Sequence, residues 1–170
     1  MVEAGVFKGN ARLELLEGSI FEKLSNNQRQ SECETNLLTA FLNPVFYRRF
    51  NIAHQQPVRL NDFSEPQPDI ALLHWREDFY YRAHLTPDDV LLLIEVADST
   101  VEIDRSYKIP LYAKAGIVES WLVNLPEEQI EPFAMPANGV YQTNITFKRG
   151  DEAQSHTIKD FNINVSDIFG

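Results

Sequence analysis

The feature that most constrains this chain is a carboxylate set inside its most apolar run. Val90 to Ala97 reads VLLLIEVA, with Glu95 near its end. Continuous apolar character over so short a run is that of a strand buried on both faces. Burying an unpaired carboxylate costs several kcal/mol, comparable with the whole stability margin of many domains. A sequence that tolerates Glu95 must therefore supply a cation, a hydrogen-bond network or a raised pKa. An Arg or Lys partner near the strand end would suffice. So would a working site, where perturbed acids gather.

Other charged residues stand where they could meet Glu95. Asp69 opens a second short apolar strand, Asp69-Ile70-Ala71-Leu72-Leu73, directly after Pro68. Two acids on neighbouring strands can converge on one divalent ion, because hard cations take oxygen ligands. Pro-Asp is also ordinary turn chemistry, so Asp69 alone carries little information. Lys108 follows on the next helix, where a cation could hold a water or offset charge on a phosphate oxygen. Spacing alone favours a plainer role for it, an i,i+4 pair with Asp104 on a solvated face. Glu14, in the first strand, could join a metal cluster or stay exposed.

The rest of the pattern is that of a mixed α/β chain. Ala11 to Leu24 reads as a hairpin turning at Glu17-Gly18. A polar patch, Ser25 to Ser31, precedes a helix whose stripe is Cys33, Leu37, Phe41 and Val45, and Pro44 should end or kink it. Phe46 to Leu60 is rich in β-forming residues, and His74 to Asp89 reads as a long connection with one helical turn. After Val90 to Ala97, Asp98-Ser99-Thr100 provides capping oxygens for a helix that runs to Ala115, with Gly116 as its C-cap and a kink or break at Pro110. Ser120 to Asn124 is a strand. Gln129 to Phe147 forms antiparallel strands about Asn138-Gly139, and a short strand and turn, Ile163 to Phe169, closes the chain.

Composition narrows the class. The 170 residues, 44% hydrophobic and 24% charged, suit one globular domain over 1–170. No apolar run approaches the roughly 20 residues of a membrane span, and the N-terminus lacks the apolar core of a signal peptide. Cys33 is the single cysteine, which excludes an internal disulfide and points to the cytoplasm. The net charge of -10 argues against a nucleic-acid coat protein but not against a local basic or metal-loaded groove. His54, His74, His84 and His156 have no zinc spacing, and phosphate-loop, dinucleotide and nucleophile-elbow motifs are absent. The aromatic segment Trp75, Phe79, Tyr80 and Tyr81 reads first as core packing.

Taken in order, Leu13-Glu14-Leu15-Leu16-Glu17-Gly18, Pro68-Asp69-Ile70, Leu93-Ile94-Glu95-Val96-Ala97-Asp98-Ser99-Thr100 and Asp104…Lys108…Tyr112…Ala115-Gly116-Ile117-Val118-Glu119-Ser120-Trp121-Leu122-Val123 form a set that resembles the Uma family of bacterial restriction endonucleases. That family is placed in the PD-(D/E)xK nuclease superfamily. The resemblance runs from about residue 10 to 135. It implies a restriction-endonuclease-like core, with a mixed central sheet flanked by helices and an antiparallel hairpin extension. It further implies cleavage of DNA phosphodiesters with Mg²⁺ or Mn²⁺, Asp69 and Glu95 as metal ligands, and Glu14 as an accessory acid. The superfamily's usual lysine position is Ala97 here, and Lys108 takes the place of the helix lysine thought to replace it. Relatives often carry a histidine near the start of the first helix, where this chain has Ser31 and Glu32. A homodimer would suit cleavage of both strands of a duplex. The competing reading is a catalytically inactive interaction or scaffold protein that keeps the nuclease fold, which the acidic charge favours.

Overall fold

The computed structural model describes residues 12–46, 48–81 and 84–170. The chain opens with a hairpin, β1 (Arg12–Leu16) and β2 (Ser19–Lys23). Glu17 and Gly18 take positive φ, 48° and 82°, and Leu16 pairs with Ser19. This is the two-residue turn whose twist matches that of the strands it joins. Ala11, where the sequence starts this hairpin, lies outside the described residues.

Helix α1 (Gln28–Phe41) starts inside the stretch that reads as a polar patch. The reason is a capping box: Asn27 accepts from Gln30 N and Gln30 Oε1 accepts from Asn27 N, both at 3.0 Å. Cys33, Leu37 and Phe41 form its buried stripe, but Val45 lies beyond it, exposed, in a 3₁₀ turn that begins at Pro44.

The central sheet has the strand order β3-β4-β5-β6-β7-β8, built from β3 (Phe50–His54), β4 (Ile70–His74), β5 (Val90–Ala97), β6 (Glu119–Asn124), β7 (Gln129–Ala137) and β8 (Val140–Asn144). A short β9 (Phe147–Lys148) also pairs with β7. Among the described residues, the one parallel strand pair of this sheet is β5 with β6. Their connection is the helical crossover that a parallel pair requires. The other neighbours are antiparallel, with Asn138-Gly139 as a second positive-φ turn between β7 and β8. His74, which the sequence places in the connection, is the last residue of β4; among the described residues between it and β5 there is one short helical turn, Pro87–Asp89.

The crossover helix departs from the sequence reading. It comprises α2 (Val101–Ile103), a π-helical turn (Asp104–Lys108) and α3 (Ile109–Lys114). Pro110 lacks an amide hydrogen and crowds the carbonyl one turn back. The widened turn just before it accommodates the ring without ending the helix. The expected cap is also different: Asp98 accepts from Asn27 Nδ2 at 2.7 Å, and Thr100 Oγ1 donates to Asp104 at 2.7 Å. Gly116, at φ 81°, ends α3, with Ile117 N donating back to Tyr112 O at 3.1 Å.

Both faces of the sheet are covered. Leu92, Ile94 and Val96 pack with α1 and the C-terminal residues Phe161 and Ile168, while Leu93 and Ala97 pack with Ile109, Tyr112 and Ile117. The chain ends in a small sheet, β10 (Glu152–Gln154) with β11 (Asn162–Asn164), and in α4 (Val165–Phe169). The sequence assigns a turn to that last segment; Asn164 capping Ser166 N at 2.9 Å makes it helical. Among the described residues no helix is long and apolar enough to cross a membrane.

Candidate active site

Strand alternation puts Glu95 on the crossover-helix face, between Leu93 and Ala97. Strand β4 pairs antiparallel with β5, Ile70 opposite Ile94, so the next position sets Asp69 across from Glu95. Directly opposed side chains share a face. Asp69 Oδ2 accepts from Val96 N at 2.8 Å, which fixes its carboxylate against β5. The two acids do converge, although each is only 2% exposed.

Two lysines interleave with the acids. Lys108 Nζ lies 2.8 Å from Glu14 Oε1 and 3.3 Å from Glu95 Oε1. Asp104 is a more distant partner at 3.9 Å, so Lys108 is not the solvated i,i+4 residue that its spacing suggests. Glu14 is buried rather than exposed and also accepts from Gln67 N at 2.8 Å. Tyr112, four residues beyond Lys108 and on the same helix face, donates its hydroxyl to Glu95 Oε1. Lys23 completes the cluster, 2.7 Å from Asp69 Oδ1, 3.6 Å from Glu95 Oε2 and 2.8 Å from Gln67 O. The acids and ammonium groups thus alternate as Glu14, Lys108, Glu95, Lys23, Asp69. They line a half-open cavity of about 310 Å³ that is also lined by Tyr107 and by the exposed Phe21, Leu24 and Ile103.

Environment separates the charges. Burial drives the Asp69 carboxyl up to about 6, with Lys23 pulling it down and Glu95 pushing it up. Burial also raises Glu95, but Lys108, Lys23 and the Tyr112 hydroxyl outweigh it and hold this acid below the usual carboxylate range. Asp104 is pushed up to about 7, first by burial and then by Glu95. Burial lowers both ammonium groups, yet the surrounding carboxylates win: Glu95 and Glu14 raise Lys108, and Glu95 and Asp69 raise Lys23.

The sequence reading singles out Asp69, Glu95, Lys108 and Glu14, and all lie in this cluster. It gives Tyr112 no role, and Lys23 is the charged residue it misses. Its signal is the hairpin register: Glu14 faces Phe21 and Arg12 faces Lys23, which puts all of them on one side of the ribbon. Ser31 and Glu32 are exposed on α1 and do not enter the site. The buried acid of that helix is Glu34, which meets His54 Nε2 at 2.8 Å and Gln55 Nε2 at 3.3 Å. In the aromatic segment only Tyr80 is buried; Phe79 and Tyr81 are exposed.

Another buried carboxylate, outside the cluster, lies one strand away. Glu119, fully buried, accepts from Trp121 Nε1 at 2.7 Å, Ser155 Oγ at 2.7 Å, His156 N at 3.1 Å and Thr157 N at 2.8 Å. Its donors are neutral and tie the C-terminal segment to the sheet.

Among the described residues no three His, Cys, Asp or Glu side chains are grouped so as to hold a metal ion by themselves. The donor set nevertheless fits one chemically. Asp69, Glu95 and the Gln67 carbonyl present hard oxygens, as Mg²⁺ and Mn²⁺ prefer, and they surround a positive charge, the ammonium of Lys23.

The chain and its fold have counterparts among known proteins. A family model described as "Uma2: Putative restriction endonuclease" matches residues 4–166, and the chain belongs to that family. A crystal structure titled as a putative nuclease belonging to DUF820, from Anabaena variabilis, shares the fold with a TM-score of 0.73 at 15% identity, covering 98% of this chain and 94% of that one. No curated protein matches the sequence.

Proposed function

We propose that this protein is a divalent-metal-dependent endonuclease that hydrolyses phosphodiester bonds in DNA. The observation that carries the reading is the convergence of Asp69 and Glu95 across β4 and β5, beside Lys108, in the lining of a half-open cavity. Asp69 and Glu95 would hold Mg²⁺ or Mn²⁺, which when bound supplies charge neutralisation at the phosphate and a water of lowered pKa. The chain's own groups do the rest. Lys108 presents an ammonium that offsets charge on a phosphate oxygen or orients the attacking water. Glu14 fixes Lys108, and Tyr112 fixes the rotamer of Glu95. With Asp69 and Glu95 ionised and metal-loaded, the site would attract a polyanion despite the chain's net charge of -10.

We further infer a cytoplasmic protein, since its one thiol, Cys33, is free, and a homodimer able to cut both strands of a duplex. The test is cleavage of plasmid DNA, and of RNA and branched DNA in parallel, with Mg²⁺ or Mn²⁺. Wild type should cut, whereas Asp69→Ala, Glu95→Gln and Lys108→Ala should not. Cleavage of RNA alone would change the substrate. Equal cleavage by all four proteins would remove these residues from the mechanism, and no cleavage by wild type would favour the scaffold reading.

A further inference from the structure

The two lysines of the cluster are held differently. Lys108 is locked: its side chain is 6% exposed, it sits within a helical turn, and Glu14 grips it. Lys23 is the last residue of β2, the strand of the two-stranded hairpin whose side chains are mostly exposed. Its own side chain is 13% exposed, about twice that of Lys108, it lines the cavity, and Leu24 beside it is 70% exposed. A lysine carries its charge on four flexible methylenes, so a change of side-chain rotamer, with no change of backbone, is enough to move this ammonium.

The oxygens around Lys23 Nζ are those a metal would take. Asp69 Oδ1 at 2.7 Å and the Gln67 carbonyl at 2.8 Å are direct partners, and Glu95 Oε2 stands at 3.6 Å. A divalent ion drawing on Asp69 and Glu95 would meet this ammonium at close range, where like charges repel strongly in a buried site. Simple packing does not account for the arrangement, because the lysine spans both acids rather than pairing with one.

Resting on the metal-nuclease reading above, we propose that Lys23 is a tethered cation that keeps the Asp69–Glu95 pair neutralised before metal arrives and competes with the divalent ion for it. Metal binding then requires the Lys23 ammonium to withdraw toward the cavity mouth. The apparent metal affinity is reduced by the fraction of molecules in which the lysine is engaged. The hairpin thereby sets the divalent-ion concentration at which the site fills.

The test is Mn²⁺ binding by calorimetry at pH 8 with wild type, Lys23→Met, Lys23→Arg and Glu95→Gln. Lys23→Met keeps the stem but not the charge and should bind Mn²⁺ at least tenfold more tightly than wild type, with Lys23→Arg close to wild type. In EDTA, Lys23→Met should melt below wild type, and Mn²⁺ should restore it. If Lys23→Met binds no more tightly than wild type while Glu95→Gln loses binding, the competition is refuted and the metal site stands. If neither wild type nor Lys23→Met binds Mn²⁺ at millimolar concentration, the metal reading falls and the competition with it. A measurement on the unaltered chain covers poor folding of the variants. In ¹⁵N spectra of lysine ammonium groups, saturating Mg²⁺ should shift or bleach the Lys23 signal and perturb that of Lys108, which keeps its Glu14 partner, less; an unmoved Lys23 signal would overturn the proposal.

Discussion

Glu95 and Glu119 are the same residue type, both buried, on the neighbouring strands β5 and β6. Their surroundings differ in kind. Glu119 is saturated by neutral donors: an indole, a hydroxyl and two backbone amides. Glu95 is held by two lysines and a tyrosine, beside a cavity. Fixed dipoles leave a carboxylate nothing to exchange, so Glu119 fastens the C-terminal segment. An ammonium on a flexible stem, as at Lys23, can be replaced by another cation, and on the reading proposed above this leaves Glu95 free to take one. Burial is common to both acids; the nature of their partners is what separates them.

The sharpest way to break this contrast is to truncate the fastened acid. Glu119→Ala leaves buried donors unpaired and should destabilise the fold by about 3–5 kcal/mol, lowering the melting temperature by roughly 10 °C. Cleavage per folded molecule should persist. Thermal melts paired with plasmid cleavage check this, and lost cleavage at full stability would reverse the roles assigned here. Glu95→Gln should do the opposite. It lowers cleavage by about 100-fold or more, beyond the usual effect of a residue that only supports a ligand. Stability should change by only about 1 kcal/mol, because the isosteric amide still accepts from Tyr112 and Lys108. A large drop in melting temperature would class Glu95 with Glu119.

How much of this was legible in the sequence follows from which interactions are local. Strand β5 and the acid inside it stand out because apolar runs are read directly, and Glu17-Gly18 and Asn138-Gly139 mark their turns because both residues of each take positive φ. The start of α1 was hidden because Asn27 and Gln30 look like mere polarity until they cap. Lys108 was legible as a residue but not in its partners: its i,i+4 spacing to Asp104 is local, whereas Glu14 lies 94 residues away. Lys23 was within reach, since the Glu17-Gly18 turn fixes the register that sets it on Glu14's side of the ribbon. Its partners Asp69 and Glu95 belong to other strands, and nothing in the hairpin itself names them.

The cluster should also show coupling that the Glu119 network cannot, because its members are charged. Lys108→Met leaves Glu14 and Glu95 facing each other without their shared cation and should destabilise the fold. Adding Glu14→Gln removes one of the stranded charges. The double variant should recover about 1–3 kcal/mol relative to the sum of the single effects, in the range seen for contacting charged pairs. Denaturant melts of the four proteins measure this. Strict additivity would mean that the 2.8 Å contact between Lys108 and Glu14 carries no energy.

The smallest expected effect is on pH dependence, and it separates the acids within the cluster. Asp69 and Asp104 are raised, to about 6 and about 7, mainly by burial. A carboxyl with a raised folded pKa keeps its proton where the unfolded chain has lost it. Its stabilising contribution is therefore full below about pH 4 and is lost as pH rises through the folded value. Glu95 is lowered, so its contribution is present above the ordinary carboxylate range and is lost as the solution turns acid. Asp104→Asn removes one raised acid. Compared with wild type, that variant should lose less stability between pH 4 and pH 8 and gain about 1 kcal/mol at the alkaline end. Asp69 imposes the matching limit on ligands, because a protonated carboxyl is a poor donor to a hard cation. Mn²⁺ affinity should fall as pH drops through about 6, and a flat affinity from pH 8 to pH 5 would mean that Asp69 stays ionised throughout, contrary to the effect of its burial.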